Sequence, residues 1–230
     1  MRKLAPTVVA LSCALGLAAC GSSSPGKSTG TAAGTTGTAA AGATGTSPST
    51  ASQSGPIIGF EGVPLQKGPE IAPASTTGTG KVNGITCGPT EQLVYHIHAR
   101  LSVFRNGQAY VLPAGVGIPG SKAVDTNQGP IASGGTCIYW LHTHTTDGVI
   151  HIESPTKKIY TLGDFFDIWR QPLSGTQIGT LHGAVTAFFN GKPWKKSPRD
   201  IQLLPHADIQ LQIGEPAPPM VKTDWSHTQL

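Results

Sequence analysis

"VYHIHARLSVFRNGQAY", residues 94–110, alternates with period two as far as Phe104 and then meets Asn-Gly. Successive side chains of an extended chain point to opposite sides. Tyr95, Ile97, Ala99, Leu101 and Val103 therefore share one face, and His96, His98, Arg100 and Ser102 share the other. This is the pattern of a half-buried strand whose histidines lie off the core face. "NG" at 106–107 supplies a tight hairpin turn, and the chain returns through "QAYVLP". The same device recurs in "HGAVTAFFNGKPW", residues 182–194.

Between these hairpins lies "CIYWLHTHTTDGVIHIES", residues 137–154. "CIYWLHTH" reads as one strand, "TTDG" as a turn and "VIHIES" as the returning strand. Two registers are open, pairing His144 with either Val149 or His151. Antiparallel partners share a side, so in both registers His142 and His144 face the same way as His151 and Glu153. Four potential ligands converge by parity alone, with cross-strand Cβ atoms about 5 Å apart.

"TLGDFFDIWRQP" at 161–172 changes the period. Leu162, Phe165, Phe166 and Trp169 follow helical spacing, with Thr161 as N-cap and Asp164 completing a capping box. The helix is expected to stop near Gln171, before Pro172. "HADIQLQIG" then gives a last strand with Ile209, Leu211 and Ile213 inward. The predicted fold class is α+β, a hairpin-rich mixed sheet with one short covering helix. The predicted organisation is a leader at 1–20, a flexible tether at 21–80 that is partly ordered from 56, one domain at 81–215 and an irregular tail at 216–230.

The leader carries Arg2 and Lys3 ahead of an apolar run to Leu17, too short to span a bilayer, which takes about 20 apolar residues. "LAAC" at 17–20 resembles the lipobox of bacterial lipoproteins. That resemblance implies a cleaved signal peptide, an acylated Cys20 and a membrane partner reached through the lipid, on the extracytoplasmic face of the cell membrane. Residues 21–55 hold only Gly, Ser, Thr, Ala, Pro, Gln and one Lys, a composition that cannot bury enough apolar surface to order itself. As a tether they would reach roughly 30 Å. Loss of Arg2 and Lys3 from 16 basic residues, against 12 acidic ones, leaves a nearly balanced chain. With no Lys/Arg stripe, nucleic acid is not an expected partner, and the sequence names no protein partner. Once Cys13 is cleaved away and Cys20 acylated, Cys87 and Cys137 remain, and in an oxidising compartment they are expected to pair.

Two wider resemblances concern the domain. "VTAFFNGKPWKKSPRDIQLLPHADIQL" is similar in cadence to the C-terminal half of the small sulfur-carrier proteins, which implies a β-grasp-like fold; their Gly-Gly tail is missing, so their chemistry does not transfer. The pattern "YHIHARLSVF…YWLHTHTTDGVIHIESP…YTLGDFFDIW" resembles a family of uncharacterised exported His-rich bacterial proteins, which implies one cohesive domain.

Two His-x-His pairs on strand faces, with His151 and Glu153 opposite one of them, suit a divalent metal. Imidazole is a good ligand for Zn²⁺ and Cu²⁺, and a strand pair aims two rings at one point. The candidate ligands are His142, His144, His151, Glu153, His96 and His98, and affinity is expected to fall as pH drops through about 6.5. The bland alternative is a solvated polar face. With Met220 the sole methionine beyond the leader, and the cysteines paired, sulfur sites lack ligands. Zn²⁺ or Cu²⁺ remains, or Fe²⁺. No nucleophile elbow or P-loop is present, so catalytic residues stay unassigned. The function read from the sequence is a lipid-anchored metal-binding protein; a metal-dependent hydrolase or oxidoreductase and a metal-free structural envelope protein are the alternatives.

Overall fold

The computed structural model describes residues 56–74, 78–228 and 230. The expected signal peptide at 1–20 with Cys20, and the tether at 21–55, lie outside the described residues. Among the described residues no helix is long and apolar enough to cross a membrane.

The main sheet has seven strands: β1 (Tyr95–Arg105), β2 (Gln108–Tyr110), β3 (Leu141–His142), β4 (Val149–Ser154), β5 (Val185–Phe189), β6 (Lys192–Trp194) and β7 (Ala207–Ile213). Its order is β6-β5-β7-β1-β4-β3, with β2 also paired to β1. Central β1 runs parallel to β7, from Ala99↔Ala207 to Arg105↔Ile213. On its other side it is antiparallel first to β4 and then to β2. Asn106–Gly107 and Asn190–Gly191 all have positive φ, near 48° for the asparagines and 78–79° for the glycines, as two-residue hairpin turns require. Smaller two- and three-stranded sheets surround this one. Mixed sheets with a single α-helix among the described residues are compatible with a mostly-β fold.

The helix α1, Leu162–Trp169, is capped as its sequence dictates, with Thr161 Oγ1 accepting from Asp164 N and Asp164 returning the bond to Thr161 N. It ends two residues before the expected stop, because Arg170 adopts the left-handed conformation at φ 60°. Phe165, Phe166 and Trp169 are fully buried against the sheet, each contributing about 2–3 kcal/mol of transfer free energy. The Cys87–Cys137 disulfide is present. It lies beside the pairing of Cys87 with Tyr139, so it fastens the segment leading into β3.

Two expectations are corrected here. "CIYWLHTH" is not one strand: Ile138–Tyr139 pairs with Cys87–Gly88, and the chain changes partners at Trp140 before Leu141–His142 joins β4. Nor is β1 half-buried, since His98, Arg100 and Ser102 on its polar face are as buried as its core face. Segments without strand periodicity cover that face from both ends of the domain. Arg100 donates to Pro64 O and Thr223 Oγ1, Gln66 donates to Ser102 Oγ, and Gln210 donates to Pro218 O.

Candidate metal centre

The register fixes the site. His98 pairs with His151 and His142 pairs with His151, so three imidazoles stand in one row across β1, β4 and β3. His96 pairs with Glu153 in the next row. This is the register in which His144 would face Val149, although the chain peels away after His142, and Ala132 N donates to His144 O instead. All six expected ligands come together. His142 is fully buried, His98 and Glu153 are 3 % exposed and His151 is 6 % exposed, whereas the His96 side chain is 40 % exposed. The group is thus a buried cluster with one open side.

Four of its atoms close a ring. His96 Nε2 lies 3.0 Å from His98 Nε2, which lies 3.1 Å from His151 Nδ1. Glu153 Oε1 lies 3.2 Å from both His151 Nδ1 and His96 Nε2. Tetrahedral Zn²⁺ with bonds of about 2.0–2.1 Å would hold its ligand atoms about 3.3 Å apart. Three nitrogens and one oxygen at 3.0–3.2 Å therefore match the donor set of a closely bound ion. A second grouping brings His142 and His144 together with His151, and a third joins Glu91, His142 and Glu153. The Glu153 Oε2 atom is buried and has no hydrogen-bond partner. A carboxylate oxygen so placed loses its hydration without replacement unless a cation meets it.

Outer partners orient the rings. A carbonyl only accepts, so His142 Nδ1–H donates to Tyr139 O at 2.9 Å and His144 Nδ1–H donates to Ala132 O at 2.9 Å. His151 Nε2–H donates to Glu61 Oε1 at 3.0 Å, leaving Nδ1 to the ring of four. This carboxylate–imidazole arrangement is the usual support of a metal-bound histidine. Burial, then the neighbouring His151 and His96, pushes the His98 pKa down to about 2. Burial, then His151 and His144, likewise holds His142 well below its ordinary value. Both are neutral and ready to ligate. Burial also opposes charge on His151, but hydrogen bonds with Glu153 and Glu61 and their charges outweigh it and raise this ring to about 9. Without an ion, a proton occupies His151.

Glu61 and Glu91 were not legible as partners. Glu61 is the first acidic residue of the chain and follows the first aromatic, Phe60, where the low-complexity sequence ends; that is the one signal that could have drawn notice to it. Glu91 Oε1 lies 3.2 Å from His144 Nε2 and carries no distinguishing motif. His182, His206 and His227 stay out of the cluster, with His206 stacked on Trp225 at 4.8 Å.

"GVGIPG" at 115–120 buttresses the ligand strand. Gly117 O accepts from Tyr139 N and Val116 O accepts from Thr143 N. Gly117 has φ +73°, and a Cβ there would collide with the Leu141 carbonyl and sit 3.1 Å from His142 Cα. Gly117→Ala is expected to cost about 2–4 kcal/mol, from left-handed strain plus displacement of β3, and to weaken metal binding. Gly134→Ala has a similar φ of +72° but open space around it, so it should cost about 1 kcal/mol and leave binding intact. Thermal melts and metal titration of the two variants check this. Compared with protein families, curated proteins and solved structures, the chain matches none.

Proposed function

We propose that this protein binds a divalent metal ion, Zn²⁺ or Cu²⁺, on the extracytoplasmic side of a cell membrane, held there by a lipid on Cys20. The observation that carries the metal reading is the closed ring of His96, His98, His151 and Glu153 atoms, with its buried unpartnered carboxylate oxygen. Imidazole and carboxylate donors without thiolate suit either ion. Capture or presentation is favoured because the ring supplies four protein donors, the closed set of a holding site, whereas a catalytic site keeps one position open. Exposure of His96, and of Glu91 at 39 %, gives an ion a route out to a partner.

The anchor reading rests on "LAAC" and on the tether-like composition of 21–55, whose one charged residue is Lys27. Cys20→Ser is expected to release the protein from the membrane fraction or to leave its precursor unprocessed. Parent-like fractionation and processing would remove the anchor from the proposal. The α+β, β-grasp-like reading is supported by two hairpins flanking the parallel β1–β7 pair, with α1 in the crossover. The test of the metal reading is elemental analysis of the full chain after loading and desalting. Stoichiometric Zn²⁺ or Cu²⁺ is expected in the parent and none in His98→Ala/His151→Ala with His142→Ala; a parent that retains no ion at micromolar concentration overturns it.

A further inference from the structure

We propose that His142 and His144 hold a second divalent ion, with Glu153 bridging the two ions through its two carboxylate oxygens. The inference rests on the metal reading above and deepens it. The ring of four uses His96, His98, His151 Nδ1 and Glu153 Oε1. It leaves His142 Nε2 and His144 Nε2 unassigned, 3.1 Å apart.

The tautomers of these two rings are set by the main chain. Each Nδ1–H is committed to a carbonyl, at Tyr139 and Ala132, so in the neutral ring Nε2 carries the lone pair. Two lone pairs aimed at each other across 3.1 Å repel. Something positive must lie between them, and the separation matches that of two nitrogens on one ion.

Oxygen donors complete the set from two other parts of the chain. Glu91 Oε1 stands 3.2 Å from His144 Nε2. Glu153 Oε2 stands 3.9 Å from His142 Nε2, and it is the buried oxygen that no donor satisfies. A carboxylate whose Oε1 belongs to one ligand ring and whose Oε2 faces another is placed as a bridge. In paired sites of this kind the ions lie about 3.5–4 Å apart. The first position is three nitrogens and one oxygen; the second is two of each, a mixture suited to a borderline divalent ion such as Zn²⁺.

The test uses the full chain loaded with Zn²⁺, desalted, and counted by native mass spectrometry. Two ions per chain are expected in the parent. One ion is expected in His144→Ala/Glu91→Ala, which alters only part-exposed side chains and spares the core. A parent with one ion overturns this inference and leaves the first site standing, whereas a parent with none overturns both. The bridge has its own readout. Cu²⁺-loaded parent is expected to lose most of its ordinary electron paramagnetic resonance intensity through spin coupling. Two full, magnetically isolated Cu²⁺ signals would overturn the bridge by Glu153.

Discussion

Saturating Zn²⁺ is expected to raise the thermal unfolding midpoint of the protein by about 8–16 °C when free ion stands about 1,000-fold above the dissociation constant. An ion that binds only the folded chain stabilises it by mass action, by roughly 4 kcal/mol at that ratio. The unfolded chain cannot compete well, because the donors come from β1 and β4, more than fifty residues apart in sequence and brought together by the sheet. His98→Ala with His151→Ala removes two of the four atoms in the ring. This variant will also melt earlier without metal, since it loses buried contacts with Glu61 and Glu153. The informative quantity is therefore the Zn²⁺-dependent increment and not the midpoint itself. That increment should fall by at least half in the variant. An increment equal to the parent's would place the ion elsewhere, and no increment in the parent would remove the ion.

Much of the site was readable because strand geometry has a period of two. The two registers open to the "TTDG" hairpin differ by two residues, so parity puts His142 and His144 on the face of His151 and Glu153 in either. The pairing of β1 with β4, which brings His96 and His98 to that face, is a long-range contact the pattern does not fix. Asn106–Gly107 and Asn190–Gly191 were legible for a related reason: local turn chemistry decides a two-residue hairpin without long-range help. The covering of that face was not legible. Pro64, Gln66, Pro218 and Thr223 lie in stretches with no periodicity, and what they do depends on Arg100, Ser102 and Gln210 far away in sequence. The break at Trp140 is of the same kind. It follows from the approach of Gly117 to the Leu141 backbone, a tertiary contact that no pattern within "CIYWLHTH" announces. Burial of the polar face also changes the chemistry expected of it, because His98, His142 and His151, taken as ligands with ordinary imidazole proton affinity, acquire shifted ones.

That shift changes how metal affinity depends on pH. Zn²⁺ affinity is expected to climb by about tenfold per pH unit from pH 7 to about pH 9 and then level off, instead of levelling off near 6.5 as unperturbed histidines would. His98, lowered to about 2, and His142, held low by burial, bring no proton to be displaced in this range. His151 does, because Glu153 and Glu61 overcome the effect of burial and hold it at about 9. One proton must leave for one ion to enter, which gives the unit slope. The metal-free protein should move the other way. A folded-state pKa raised above the unfolded value of 6.5 contributes stability that is complete below 6.5 and is lost as pH rises through about 9. The gap between the melting points with and without Zn²⁺ should therefore widen from pH 7 to pH 9. Glu61→Gln keeps a hydrogen-bond acceptor for His151 Nε2–H but removes the charge, so the levelling-off should move to lower pH. Chelator-competition titrations of parent and Glu61→Gln across this range measure both slopes. An affinity in the parent that is flat from pH 7 to pH 9 would show that His151 gives up no proton to the ion in this range and would overturn this pH dependence.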